Sequence, residues 1–219
     1  MDIKTNINEI LEWFSDCDLE DDLAEDNYMK KVVSKLPQGD FCYAAGATKV
    51  VIIPKEGDYV LKIPFSVDEY GDFFENAGGY ESNGEWDYCE AELEKYKYAK
   101  EEGVDEFFLE TEYLCQVQEF PIYIQRKAVT FYSIQEDEDE EFTKDHEKWK
   151  SKTKDRCNEN NFYCFNVDWL ADVLAYYGEN KFDKFMQFLE DYDITDLHKD
   201  NVGYCGDQPV IMDWGGYFE

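Results

Sequence analysis

Asp196 and Asn201 lie five residues apart in the run Asp196-Leu197-His198-Lys199-Asp200-Asn201, and Asp213-Trp214-Gly215 begins twelve residues after the Asn. Two carboxylates and an amide in this order have the layout of a phosphoryl-transfer centre. At this spacing an Asp and an Asn share one tight loop, the Asp facing an attacking hydroxyl and the Asn amide oxygen facing a magnesium ion. The second Asp returns to the metal if the residues between fold as a hairpin. Residues 201–205 and 209–212 are short strand-like runs on either side of Gly206-Asp207-Gln208, a turn sequence, so the hairpin is written into the chain.

The pattern resembles the catalytic and metal-binding loops of the protein kinase-like superfamily, and more closely its aminoglycoside and small-molecule kinase branch, in which Asp-Leu-His-x-x-Asn is common. The resemblance extends from about residue 41 to 215 and implies an ATP- and magnesium-dependent phosphotransferase acting on a hydroxyl acceptor. Tyr59-Val60-Leu61-Lys62-Ile63-Pro64 is similar to the family's Val-Ala-Ile-Lys strand, which implies that Lys62 points at the α- and β-phosphates. Alternation places Lys62 on the face of Val60 and Pro64, opposite Leu61 and Ile63. A phosphate-directed lysine is held by a carboxylate on the following helix, which offers Glu90, Glu92 and Glu94. Glu92 fits the family's pattern of apolar residues at plus one and plus four, with Leu93 and Tyr96, whereas Glu90 would have Glu94 at plus four. Gly46, Ala47 and Thr48 occupy the connection where the family places its phosphate-covering turn, with one glycine where protein kinases have three. By resemblance, then, Asp196, Lys62 and Glu92 are the catalytic set, Gly46 to Thr48 and Lys62 bind the nucleotide, and Asn201 and Asp213 hold magnesium. Two departures stand out. Ile194-Thr195 precede Asp196 where the family often has a histidine, and the sequence stops at Glu219, before an activation segment or substrate-binding helices.

The elements that must position these residues follow from periodicity. Residues 2–36 have apolar positions at helical spacing and predict two or three short amphipathic helices ending at Pro37-Gln38-Gly39-Asp40. Residues 41–43, 49–53 and 58–64 predict an antiparallel meander. An irregular connection over 66–85 leads to a helix at 86–103, with Gly103 as its stop, and then to strands at 107–118 and 121–128. After Ala128 the pattern becomes mainly helical: a charged helix around 144–154, then helices at 167–177 and 181–192 separated by Gly178-Glu179-Asn180. The expected fold is therefore α+β. With the resemblance it becomes a bilobal kinase-like fold: an N-terminal helical extension over 1–40, an N-lobe with a small antiparallel sheet over 41–128, and a reduced, mainly helical C-lobe over 129–219.

Composition limits what such a protein touches. Its 219 residues suit one domain or two small lobes, and 43% hydrophobic content with 17 Tyr and 16 Phe supports a packed core. The net charge of -31 argues against direct binding to nucleic acid or anionic membranes, which need a cationic surface. It also supports the alternative function: a catalytically inactive kinase-like scaffold whose acidic surface docks on a basic protein partner. Seven cysteines without a C-x-x-C pair, and two histidines, exclude a typical structural zinc motif and a disulfide framework. The N-terminal residues lack a signal-peptide pattern and no long apolar run occurs, so a soluble, cytoplasmic protein is expected.

Overall fold

The computed structural model describes residues 41–45, 49–64, 88–117, 120–131, 133, 144–159 and 165–214. Among them are four α-helices and two antiparallel sheets, an α+β architecture. The chain divides into two compact units. The first holds the described residues up to Ala91 together with Thr111–Lys127, and the second holds Glu92–Glu110 and the described residues from Ala128 onward. The helical extension predicted over residues 2–36 lies outside the described residues.

The first unit is built on five strands: β1 (Phe41–Ala45), β2 (Lys49–Pro54), β3 (Tyr59–Pro64), β4 (Thr111–Val117) and β5 (Phe120–Arg126), in the order β1-β2-β3-β5-β4. The alternation legible in the sequence becomes two faces. Val50 stands opposite Ile63, Ile52 opposite Leu61, and Leu61 opposite Ile124, so branched apolar side chains fill one face. The other carries Lys49, Val51, Val60, Lys62, Tyr123 and Gln125. Every residue of β3 is buried, which makes it a central strand covered on both faces. The β2–β3 turn is closed by Gly57 at a φ of 114°, a conformation that a side chain disfavours. Lys127 fastens the turn to the end of β5, its N–H donating to the Asp58 carbonyl at 2.7 Å and its Nζ to that of Pro54 at 3.0 Å.

Helix α1 (Tyr88–Glu102) spans the boundary between the units, and Gly103, at a φ of 68°, ends it as predicted. The chain then departs from expectation. Residues 107–118 do not form one strand: Asp105–Phe107 is a 3-10 turn, and β4 begins only at Thr111. Burial decides this, because Phe107 stacks on Phe185 at 4.4 Å and Phe108 meets Phe188 edge-on at 5.5 Å. Aromatics on consecutive residues that both enter one core cannot keep the up-and-down alternation of a strand.

The core of the second unit comes mainly from α3 (Val167–Tyr177) and α4 (Glu179–Asp191), which follow α2 (Lys144–Glu159). Trp169, Leu170, Val173 and Leu174 line one face of α3, and Phe182, Phe185, Met186 and Leu189 one face of α4, at the three-and-four spacing of amphipathic helices. Asn166 caps α3, its Oδ1 accepting from the Trp169 N–H at 3.0 Å. One residue joins the two helices. Gly178, at a φ of 80°, donates to the Leu174 carbonyl and accepts from the Phe182 N–H, each at 3.0 Å, so the predicted spacer Gly178-Glu179-Asn180 shrinks to its glycine. Ion pairs such as Lys150–Asp168 and Lys152–Glu179, both 2.6 Å, join surface positions and add little stability.

Against the helices lies the sheet β6 (Val129–Thr130), β7 (Val202–Cys205) and β8 (Gln208–Ile211). Trp169 Nε1 donates to the Gly203 carbonyl at 3.1 Å, and the Leu109 N–H donates to that of Ile211 at 2.9 Å. At the far end of the hairpin the Tyr177 hydroxyl lies 2.8 Å from the Glu106 carbonyl and accepts from Gln208 Nε2 at 2.8 Å.

Two stability predictions follow from these contacts. A Cβ at Gly203 would stand 2.0 Å from the Val129 carbonyl oxygen, whereas one at Gly206, whose φ is 65°, would meet nothing within 4 Å. Gly203→Ala should therefore cost about 3 kcal/mol and Gly206→Ala about 1 kcal/mol, a ranking that urea titration reads directly. Burial pushes the Tyr177 hydroxyl up to about 12 from 10.0. Above pH 10 the unfolded chain loses this proton while the folded chain keeps it, so the tyrosine's contribution to stability is present below pH 10 and falls away towards pH 12. Tyr177→Phe should cost about 1–3 kcal/mol at neutral pH, and the deficit should narrow over that alkaline window in denaturant titrations.

Candidate functional site

The residues predicted for phosphoryl transfer sit on short connections anchored to the second unit's core. Helix α4 ends at Asp191 with Tyr192 as its C-cap, and Asp193 adopts a left-handed φ of 51° that turns the chain. Ile194 then donates to the Leu189 carbonyl at 2.9 Å and is buried, so the loop leaves the helix in a fixed direction. Two residues on, Asp196 is partly exposed while Leu197 is fully buried. The Leu197 carbonyl accepts from the Asn166 N–H at 3.0 Å, which ties the loop to the cap of α3. Asp196 is thus held in place by its buried neighbour.

Asn201 closes the arrangement. Its Nδ2 donates to the Asp196 carbonyl at 2.8 Å, and its own N–H donates to the His198 carbonyl at 2.9 Å. Its carbonyl accepts from the Met212 N–H at 2.8 Å and the Asp213 N–H at 3.3 Å. One residue therefore joins the Asp196 loop, the first strand of the hairpin and the start of the Asp213 segment. An amide whose nitrogen is committed to a backbone oxygen retains its Oδ1 as a hard acceptor. Trp214 anchors the other carboxylate: its buried ring packs at 4.3 Å from Phe108 and edge-on to Tyr96 at 6.3 Å, leaving Asp213 partly exposed beside it.

His198 stands between two carboxylates, its Nε2 3.6 Å from Asp196 Oδ1 and its Nδ1 3.6 Å from Asp200 Oδ2. The Asp200 N–H donates to Nδ1 at 3.2 Å, which assigns the neutral ring's proton to Nε2, on the Asp196 side. At 3.6 Å that side is a loose electrostatic contact and not a hydrogen bond.

Magnesium prefers a few hard oxygen ligands, completing its shell with water and phosphate oxygens. An asparagine Oδ1 and an aspartate joined through one backbone hydrogen bond fit that chemistry. Among the described residues no group of three His, Cys, Asp or Glu forms a self-contained metal site.

The remaining predicted residues lie elsewhere in the chain. Lys62, at 2% exposure, is on β3 of the first unit, and Glu92, fully buried, is on the part of α1 that belongs to the second. Of the three glutamates weighed on that helix, Glu90 and Glu94 are exposed. Lys95, one turn after Glu92, has its pKa lowered by burial, against the opposing pull of Asp193 and Glu92. Gly46, Ala47 and Thr48 lie outside the described residues. Sequence reasoning passed over Asn166, although an Asn immediately before an apolar helical run is a cap signal. It also passed over Lys49, whose burial depends on strand register. Neither the protein-family models nor the curated proteins compared with the chain match it.

Asn201 can be tested without knowing any ligand. Asn201→Ala removes the donor to the Asp196 carbonyl and should cost about 1–3 kcal/mol in urea titration. Asn201→Asp keeps the size but not the donor and adds a charge near Asp196 and Asp200, so it should be no more stable than the alanine variant. Wild-type stability in the Asp variant would show that the amide donor is dispensable.

Proposed function

We propose that the protein is an ATP- and magnesium-dependent phosphotransferase with a bilobal kinase-like fold of the small-molecule kinase type, acting on a hydroxyl acceptor. The observation that carries this reading is the bridge made by Asn201, which links Asp196 to Asp213 through 2.8 Å and 3.3 Å hydrogen bonds while keeping its amide oxygen available. The side-chain amide makes the first link and the backbone carbonyl of the same residue the second.

In this reading Asn201 Oδ1 and the Asp213 carboxylate hold magnesium, which when bound supplies charge neutralisation for the phosphates. Asp196 orients the acceptor hydroxyl and takes its proton on a carboxylate oxygen. Its partial exposure leaves it accessible to an acceptor. By the kinase resemblance, Lys62 orients the α- and β-phosphates, and Glu92 is the carboxylate that the family's pattern assigns to such a lysine. Gly46, Ala47 and Thr48 cover the phosphates. Positioning and electrostatics provide most of the rate, because phosphoryl transfer asks little covalent chemistry of the protein.

Calorimetric titration with ATP, with and without magnesium, followed by measurement of γ-phosphate release or transfer, tests the assignment. Asp213→Ala should lose magnesium-dependent nucleotide binding. Asp196→Ala should bind as the wild type does while turnover falls by about 10²- to 10⁴-fold. Unchanged turnover in both variants would overturn the reading. Nucleotide binding without any turnover in the wild type would instead favour the acidic docking scaffold, to which the net charge of -31 lends itself.

A further inference from the structure

We propose that the exposed stack of Tyr98 on Tyr192, near the C-terminal ends of α1 and α4 in the second unit, is a docking surface for an arginine-bearing segment of a basic protein. The two rings lie with centres 5.2 Å apart and planes 23° apart, yet Tyr98 remains 46% exposed. The stack is rooted in the core, since Tyr192 lies 4.4 Å from Phe188 and Phe188 meets Phe108 edge-on at 5.5 Å. Rings held in this way lose little conformational freedom when a partner settles on them.

Charge identifies the occupant. Glu101 and Glu102 stand in the last turn of α1, and Glu190 and Asp191 in that of α4, where the helix dipole favours cations over carboxylates. The last turn of α1 also carries Lys100, which pairs with Glu110 at 2.6 Å, while that of α4 carries no basic residue. Asp191 Oδ1 accepts from Gln187 Nε2 at 2.9 Å, a neutral donor that leaves the carboxylate's charge in place. Desolvation first, and then the negative charges of Glu102, Glu101 and Asp191, raise the pKa of the Tyr192 hydroxyl, which sets those carboxylates beside the stack. Carboxylates at two helix C-termini oppose folding, whereas a partner's cation relieves their repulsion and complements both dipoles. Among cationic side chains, arginine is the one whose plane stacks on an aromatic ring while its N–H groups reach carboxylates. A second copy of a chain of net charge -31 would bring more negative charge to the same place and does not fit it.

The inference stands apart from the phosphotransferase reading, and its test needs neither nucleotide nor magnesium. Fluorescent peptides of repeating Arg-Gly and repeating Lys-Gly, equal in length and charge, are titrated with the full chain and followed by anisotropy at physiological salt. Bulk attraction to an acidic protein treats the two alike, whereas the stack should favour the arginine peptide. Tyr98→Leu keeps an apolar contact with Tyr192 but no ring. It should weaken arginine-peptide binding about two- to fivefold and remove the preference over lysine, while Tyr98→Phe should preserve both. Glu101→Gln combined with Glu102→Gln should weaken binding about twofold or more. Glu147→Gln combined with Asp155→Asn, at exposed positions on α2, removes the same formal charge and should have a smaller effect. Should Tyr98→Leu fail to fold, these two charge pairs decide the matter, and equal effects from them overturn the site. Absence of arginine-peptide binding, equal affinity for the two peptides, or wild-type binding by Tyr98→Leu would also overturn it. So would self-association of the wild type, measured by sedimentation, that Tyr98→Leu abolishes, because the surface would then belong to a second copy.

Discussion

The second unit's candidate chemistry depends on a single side-chain amide. Asn201 uses its nitrogen on the Asp196 carbonyl and its backbone oxygen on the N–H groups of Met212 and Asp213, so two connections distant in sequence are held at one point. Other anchors of the region are more replaceable in kind. Ile194, Leu197 and Trp214 act by burial, and burial accepts any apolar side chain of similar volume at modest cost. The amide bond pattern accepts no such exchange: aspartate lacks the donor, alanine lacks both groups, and glutamine is longer by one methylene. Steric uniqueness in this part of the molecule therefore comes from hydrogen bonding, with the core acting as its support.

That support has to withstand a large electrostatic load. A net charge of -31 works against compaction, because like charges approach one another when the chain folds. Aromatics provide the opposing term. Phe107, Phe108, Phe182, Phe185 and Phe188 meet Trp169 and Trp214 in one core, and each such ring buries far more area than an aliphatic side chain. Surface ion pairs contribute far less. Lys150–Asp168 and Lys152–Glu179 are short, but solvent screens them and their flexible side chains lose entropy when fixed.

Much of this was legible in the sequence, for reasons that differ from element to element. Helix α3 matches its predicted span, since a strong apolar period is bounded by Asn166 and Gly178, both of which act as caps. Gly103 ends α1 because a left-handed residue is needed there. On the same helix Glu92, flanked by apolar Ala91 and Leu93, is buried, while Glu90 and Glu94 are exposed. The failures are equally specific. Residues 107–118 have strand-forming composition, yet the partners of Phe107 and Phe108 are Phe185 and Phe188, which lie 78 and 80 residues further along the chain. Strand β6, only two residues long, exists because it pairs with β7, and no local signal marks it. Diagonal placement of Lys49 and Lys62 required a register that no single strand contains.

A common device underlies the polar groups in both units. Asp196 precedes buried Leu197, Asp213 precedes buried Trp214, Lys62 lies between Leu61 and Ile63, and Lys49 precedes Val50. In a strand, consecutive side chains point to opposite faces, so anchoring one residue in an apolar layer determines the direction of the next. In the loops the same result comes from a buried side chain flanked by backbone hydrogen bonds, as at Leu197. A charged side chain placed in this way has a defined origin. Functional precision thus begins one residue away from the functional group, and the aromatic core and apolar sheet face bear on the site through these immediate neighbours.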